Sequence, residues 1–310
     1  MKHIIEKIKE QIEADIYPGA SLALFNNEWQ EYYFGTQDER RAVTQGLIYD
    51  LASVSKVVGV GTVCIFLINK GIIELDSPLK VYYPDFHDVS VTLRQLLTHS
   101  SGIDPYIPNR DNLSDQELKA AINNIKVGSD RSFKYTDINF LLLGFMLEVI
   151  FNQSLDRILK EQIFNPFGML ETCFGPVENA VPTVQGVTAG TVHDPKARLL
   201  RHHAGSAGLF STVTDLEIFC QRYLKDDFSS QLTENYSRSN KARSLAWDLD
   251  GDWLLHTGYT GTFILVNILQ QKAAIFLSNR TYKKDDRAQW IVDRDELIKV
   301  IEESLLEEQT

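Results

Sequence analysis

The chain has little of several things that would each have dictated a function. Its three cysteines, Cys64, Cys173 and Cys220, are odd in number, far apart and set in apolar stretches, with no Cys-x-x-Cys. That argues against a disulfide framework and a structural zinc site, and reads as three buried thiols in a reducing compartment. Glycine (18) and proline (9) are too sparse for a collagen-like or low-complexity chain. Positive charge is in deficit: 31 Lys and Arg against 42 Asp and Glu leave a formal net charge of −11. With no basic run to offset it, nucleic acid and anionic membranes are not expected partners. The most apolar stretch, Val57 to Ile68, falls short of the roughly 20 residues of a membrane span. The first ten residues mix Lys and Glu in an amphipathic pattern, without the apolar core of a signal peptide. A cytoplasmic protein is the expectation. No internal repeat, no Gly-x-Gly-x-x-Gly after a strand and no Gly-x-Ser-x-Gly elbow occurs.

What is present is enough for a large core: 310 residues, 44% of them apolar, or about two domains' worth of chain. Ile4, Ile5, Ile8 and Ile12 at helical spacing predict a helix over 2–14, ended by Pro18-Gly19. Ala20–Phe25 and Trp29–Phe34 read as a strand hairpin. Residues 53–70 predict a buried helix with Gly71 after it. Capping-box spacing marks helix starts at Thr92, Ser114 and Thr214. Phe140–Phe151 predicts an apolar helix, and Ser154 caps a further one that stops at Asn165-Pro166. Residues 166–208 read as long loops. Strand signals return at Leu245–Leu249, Trp253–His256, Thr262–Leu269 and Ala273–Leu277, and a helix over Arg294–Leu306 closes the chain. Strands at both ends with helices between predict an α+β fold. A five-stranded antiparallel sheet from residues 1–80 and 205–310, flanked by the terminal helices, would carry a mainly helical domain over 81–204.

Ser53-Val54-Ser55-Lys56 places a lysine one helical turn from a serine. Such a lysine can take the serine proton if neutral, or stabilise the alkoxide if charged, and desolvation in an apolar helix favours the neutral amine. The pattern alone is weak, since Ser77-Pro78-Leu79-Lys80 matches it too. Tyr135 precedes the apolar helix, where it could simply anchor the helix start. His256-Thr257-Gly258 ends a late strand, where it could simply close a hairpin. Serine, lysine, tyrosine and a strand-borne His-Thr-Gly, in this order, resemble the penicillin-recognising serine hydrolases: class C β-lactamases, D-Ala-D-Ala carboxypeptidases and β-lactamase-like esterases. Ile16–Ala20, Leu51–Lys56, Thr92–Gly102 and Ala204–Thr212 resemble further segments of that family in the same order.

The resemblance implies a β-lactamase/transpeptidase-like fold, no cofactor, and a small ester, amide or β-lactam-like substrate. It implies Ser53 as nucleophile, Lys56 and Tyr135 sharing the general-base work, and an oxyanion hole from the Ser53 and Tyr259 N–H groups. Asp137, His256, Thr257 and Gly258 would meet the substrate, with Tyr106 and Trp247 as pocket walls. Two residues depart from the family pattern. Asp137 stands where Asn is frequent; ionised, it only accepts hydrogen bonds. It could hold Lys56 protonated, or merely cap the following helix. His256 stands where carboxylate-binding members often carry Lys, and is mostly neutral at pH 7. Together with the net charge these favour a neutral ester or amide over a β-lactam or anionic peptide, unless a local Lys or Arg intervenes. The rivals are a D-amino-acid peptidase or weak β-lactamase, a ligand sensor that kept the fold without turnover, and a metal hydrolase. His193-Asp194 with His202-His203 lack metal-ligand spacing and read as solvated loop side chains. Asp248, Asp250 and Asp252 have their glycine at the wrong offset for a calcium loop and no distal glutamate, and read as a hairpin turn.

Overall fold

The computed structural model describes residues 1–307, so the end of the expected 205–310 segment lies outside the described residues. The period-two patterns near both ends of the chain meet in one antiparallel sheet. Its strands are β1 (Gly19–Asn26), β2 (Glu28–Gly35), β6 (Asp248–Asp250), β7 (Trp253–Gly258), β8 (Thr262–Asn267) and β9 (Lys272–Ser278), in the order β2-β1-β9-β8-β7-β6. The sheet therefore has six strands rather than five. The sixth is a short edge: Leu245, Ala246 and Trp247 leave the ladder, with Ala246 at φ 70° and its N–H donating to the Leu97 carbonyl at 3.1 Å. A second, three-stranded sheet joins β3 (Tyr49–Asp50), β4 (Cys173–Phe174) and β5 (Leu209–Ser211) in the order β3-β5-β4.

The helices that position the site are α1 (Lys2–Glu13), α2 (Ala52–Asn69), α3 (Ile138–Phe151), α4 (Pro195–Leu200), α5 (Val213–Lys225) and α6 (Arg287–Glu307). Alternation sorts the strand side chains between two cores. Leu22, Leu24, Phe263, Leu265 and Phe276 face α1 and α6, where Ile4, Ile8, Trp290, Leu297 and Ile301 cover them. Ala23, Ile264, Val266, Ile275 and Leu277 face the main core with α2, α3 and α5. The helix α6 begins seven residues before the expected Arg294, which matters below because it brings Arg287 to the cleft.

Helix α2 is irregular: a 3-10 turn over Ala52–Val54 and a π turn over Val57–Gly61 precede the regular part, Thr62–Asn69. It is apolar and long enough to cross a membrane, yet 78% of it is buried inside the fold. Residues 166–208 are not all loop. Asp194 accepts from the Ala197 N–H and Pro195 opens α4, a cap and first-turn proline that the sequence displays. The capping boxes at Thr92 and Ser114 form, but α5 is capped by Thr212, which accepts from Asp215, rather than at Thr214. The helix after Ser154 continues through Asn165-Pro166 to Phe167. Cys64 and Cys220 are buried, whereas Cys173 is exposed on β4.

The ten residues Ile138–Leu147 of α3 are buried on all sides, so this helix is held by packing rather than by an amphipathic face. Two glycines let the backbone of 204–208 approach it. A Cβ on Gly205 would sit 2.2 Å from the Phe140 carbonyl oxygen and 3.2 Å from Gly144 Cα. Backbone cannot yield as a side-chain tip can. Gly205→Ala is expected to lower unfolding stability by about 1–3 kcal/mol, the usual range for overpacking, read as a lower urea midpoint with unchanged slope; an unchanged midpoint would contradict this packing.

Candidate active site

Ser53 lies in the first turn of α2, and its position is set by backbone ties. The buried Asp50 carboxylate accepts from the Ala52 N–H at 2.8 Å and from the His193 N–H at 2.8 Å. Ala52 sits at φ 45°, a conformation costly for a residue with a Cβ. On the other side, Thr260 Oγ1 donates to the Asp50 carbonyl (2.9 Å) and Thr262 Oγ1 to the Leu51 carbonyl (3.0 Å). The turn after β7, with Tyr259, is thus fastened to the segment that carries Ser53. Only glycine fits at 258, since a Cβ there would lie 2.6 Å from the Leu51 carbonyl oxygen. This places Ser53 and Tyr259 on the same cleft of about 750 Å³, together with Tyr135, Asp137, Thr257 and Gly258.

Lys56 is fully buried. Its Nζ donates to Ser53 Oγ (2.9 Å), to Asp137 Oδ1 (2.8 Å) and to the Ser206 carbonyl (2.8 Å). Three acceptors use all three protons of an ammonium. Burial opposes that charge, but the Asp137 carboxylate and the Tyr135 phenol outweigh it and hold the Lys56 pKa above its ordinary value. The neutral amine expected from desolvation alone is therefore corrected: the lysine is charged. Burial likewise opposes the Asp137 charge, and Lys56 and Lys196 overcome it, keeping this carboxyl well below the usual range. Asp137 makes no side-chain cap to α3, so its partners are the two lysines.

The Tyr135 ring stands over this ammonium, with Nζ 5.1 Å from its centroid. It packs 4.3 Å from the His99 ring. His99 is buried at φ 54°; its carbonyl accepts from the Lys134 N–H (2.8 Å) and its Nδ1 is 3.4 Å from the Thr136 N–H donor. The Thr98–Gly102 turn is thus the mount for Tyr135. Burial, with Lys56 and Arg243 adding to it, pushes the His256 pKa well below its ordinary value. The imidazole is neutral, buried behind the cleft, and 6.4 Å from Tyr135 ring to ring.

Two expected pocket walls are elsewhere. Trp247 is fully buried in the main core against Tyr223 and Phe219, because the chain turns inward at Ala246. Tyr106 is 74% exposed and borders a separate shallow depression on the helical side. Conversely, His193 is no free loop side chain: it stacks on Tyr259 at 5.5 Å and lines the cleft. Sequence reasoning also missed Lys196, which reaches Asp137 Oδ2 at 3.0 Å, and four arginines of the cleft, Arg110, Arg280, Arg287 and Arg294. The Asp194-Pro195 helix start was the available signal for Lys196; nothing in the sequence places Arg110 beside α6. Arg294 Nη1 lies 3.4 Å from Thr257 Oγ1. Five cations against three carboxylates make the cleft locally positive in a chain of net charge −11.

Burial pushes the Asp50 pKa up to about 6, against the two backbone N–H donors that favour its charge. The native state then holds this proton more tightly than the unfolded chain, whose Asp titrates near 3.9. Its contribution to stability accordingly rises as pH falls from about 7 towards 4. The stability of wild type relative to Asp50→Asn is expected to grow by about 1–3 kcal/mol over that interval, measured by urea unfolding; a constant difference would contradict it.

Comparison with known proteins gives the arrangement a lineage. The model of the Beta-lactamase family matches residues 4–298. A putative D-alanyl-D-alanine carboxypeptidase of Escherichia coli O157:H7 is 26% identical, over 89% of this chain and 81% of that protein. A Salmonella agona protein of the same description is 25% identical, over 77% and 71%. Among solved structures, EstCE1, a hydrolase with promiscuous acyltransferase activity, superposes with a TM-score of 0.79 at 14% identity, over 96% of this chain and 97% of its own. A β-lactamase/D-alanine carboxypeptidase from Pseudomonas syringae gives 0.73 at 16%, with the same coverage. With a serine–lysine pair at the head of a buried helix, a tyrosine above it and a His-Thr-Gly strand beside it, the chain belongs to the β-lactamase family of hydrolases.

Proposed function

We propose that this hydrolase works through an acyl-enzyme on Ser53 and cleaves small esters or amides that carry a carboxylate on the leaving-group side. The observation that carries the first part is the Lys56 ammonium, bonded at once to Ser53 Oγ, Asp137 and the Ser206 carbonyl. An ammonium so placed does not accept the serine proton. It stabilises negative charge developing on Ser53 Oγ, and Tyr135, whose ring stands over the same ammonium, is the proton carrier. Ser53 Oγ bonds to the acyl carbon, its proton passes through the Tyr135 hydroxyl to the leaving oxygen or nitrogen, and the bond from that atom to the acyl carbon breaks as the acyl-enzyme forms. Water then attacks the ester by the same relay in reverse and frees Ser53. The N–H groups of Ser53 and Tyr259 would hold the oxyanion, a donor each being worth about 3 kcal/mol in such sites.

The carboxylate preference replaces the neutral substrate expected from the net charge. At close range Arg294 beside Thr257, with Arg287 about two helical turns away on the same helix, outweighs a diffuse surplus of acid that salt screens. The relatives described as D-alanyl-D-alanine carboxypeptidases support the same choice. A neutral-ester esterase is the second reading. It is favoured by the uncharged His256 and by Asp137, which offers no donor to an acylamino group, and by the likeness to EstCE1.

With p-nitrophenyl acetate, Ser53→Ala is expected to lose at least about a thousandfold in kcat while keeping the wild-type circular dichroism. Equal turnover by both proteins would sink the nucleophile assignment. Substrate charge is tested with an acyl ester of D-lactic acid and its methyl ester. Arg294→Gln is expected to raise KM for the free acid about tenfold, the worth of one charge-assisted hydrogen bond, and to leave the methyl ester within about twofold. Equal effects on both would favour the esterase reading.

A further inference from the structure

Asp137 is shared between two lysines. Its Oδ1 meets Lys56 Nζ at 2.8 Å and its Oδ2 meets Lys196 Nζ at 3.0 Å. Lys196 is itself held in place. It is 13% exposed, and its Nζ also reaches Asp194 Oδ2 at 3.2 Å. Asp194 caps α4 through the Ala197 N–H, and the preceding His193 N–H is bound by Asp50 beneath Ser53. The lysine is thus anchored to the same backbone knot as the nucleophile.

We propose that Lys196 is a positioning residue that divides the Asp137 charge, so that Lys56 keeps the electrostatic pull on Ser53 and Tyr135 that the reaction needs. A carboxylate paired with Lys56 alone would cancel its ammonium at the place where negative charge develops. With Lys196 on the other oxygen, Asp137 and the two lysines that touch it carry one net positive charge, the same as a lysine facing an uncharged side chain, and Asp194 meets Lys196 separately, at 3.2 Å from Nζ. Asp137 then orients the ammonium without neutralising the group it orients. This role rests on the acyl-enzyme reading above.

The other groups facing this cluster do not supply the same balance. His99 and His256 are kept neutral, chiefly by burial. Arg243 lies behind Tyr135, 3.6 Å from the Asp248 carboxylate. Asp194 is engaged by the Lys196 ammonium and the Ala197 N–H. Asp50, raised to about 6 by burial, is bound by the Ala52 and His193 backbone N–H groups rather than by either lysine.

The test is the pH profile of kcat/KM for p-nitrophenyl acetate, a neutral substrate, between pH 5 and pH 10. For K196M the rising limb is expected to move up by about one unit, the usual effect of uncovering an opposite charge, with about tenfold lower rate at pH 7. K196R, which keeps the charge, stays within about threefold of wild type. D137N/K196M, which removes both charges, returns the limb to within about half a unit of wild type and recovers most of the rate. A merely structural lysine would lower the rate without moving the limb, and the double variant would then be no better than K196M; either result overturns the proposal. If K196M proves unfolded by circular dichroism, D137N alone replaces it. Its surplus cation must move the limb down by about one unit, and a limb that stays in place overturns the proposal. Fluorophosphonate labelling of wild-type Ser53, read by mass spectrometry, separates the two ideas. No adduct on Ser53 sinks the acyl-enzyme reading, whereas an adduct with an unmoved K196M profile sinks only the role of Lys196.

Discussion

A fully buried ammonium is among the most demanding groups a fold can hold, and Lys56 makes the demands that organise this one. Its three protons need three acceptors, and these come from three separate parts of the chain. Ser53 lies one turn away on α2, Asp137 at the head of α3, and the Ser206 carbonyl before β5. The glycines that look incidental along the sequence serve this convergence. Gly144 and Gly205 let the backbone carrying Ser206 lie against α3, and Gly258 lets the β7 turn close over the start of α2. Apolar packing alone would not choose that arrangement; an unpaired charge in its place would forbid the others.

The positive cleft is a consequence of where arginines are gathered, not of how many the chain has. The chain is acidic overall, yet α6 brings Arg287 and Arg294 to a wall that also holds Arg280. Arg280 is almost completely buried; its Nε donates to the Tyr259 carbonyl at 2.8 Å and its guanidinium lies 4.6 Å from the Tyr259 ring. It thereby fixes the orientation of the peptide turn beside Ser53 while contributing to the local field. Net charge bounds the behaviour of a chain towards distant polyanions. A bound ligand feels the few charges within a Debye length and behind low-dielectric walls.

The parts of the site legible in the sequence were those fixed by spacing on one element. Ser53 and Lys56 are one helical turn apart, and Thr257 and Gly258 follow His256 on one strand, so order along the chain already implies proximity. The charge state of Lys56 was not legible, because desolvation and Asp137 push in opposite directions and only the 2.8 Å contact decides between them. Lys196 had only the Asp194-Pro195 helix start as a signal, and its partner was illegible for a different reason. Its contact with Asp137 spans 59 positions and depends on α4, a six-residue helix inside a stretch of weak periodicity. Trp247 misled because aromatic residues line clefts and fill cores with equal ease. The positive φ of Ala246 sent it to the core, and such a conformation at alanine leaves no mark in a sequence.

The geometry also explains why a carboxylate at 137 can sit beside the serine–lysine pair. Asp137 does not approach Ser53 through its own hydrogen bonds; both of its oxygens are taken by lysines. Its negative charge is met by one lysine on each oxygen, while its geometry still aims the Lys56 ammonium. An amide would fix the same direction with one acceptor and would need no second cation. A carboxylate gives the stronger tether, and α4 brings a second lysine to it from a segment whose own cap, Asp194, is preceded in the chain by His193, whose N–H is bound by Asp50 beneath Ser53. Placement and charge are thereby set by one connected structure, so a shift in α4 would be felt at Ser53 both as a displaced backbone and as an altered field.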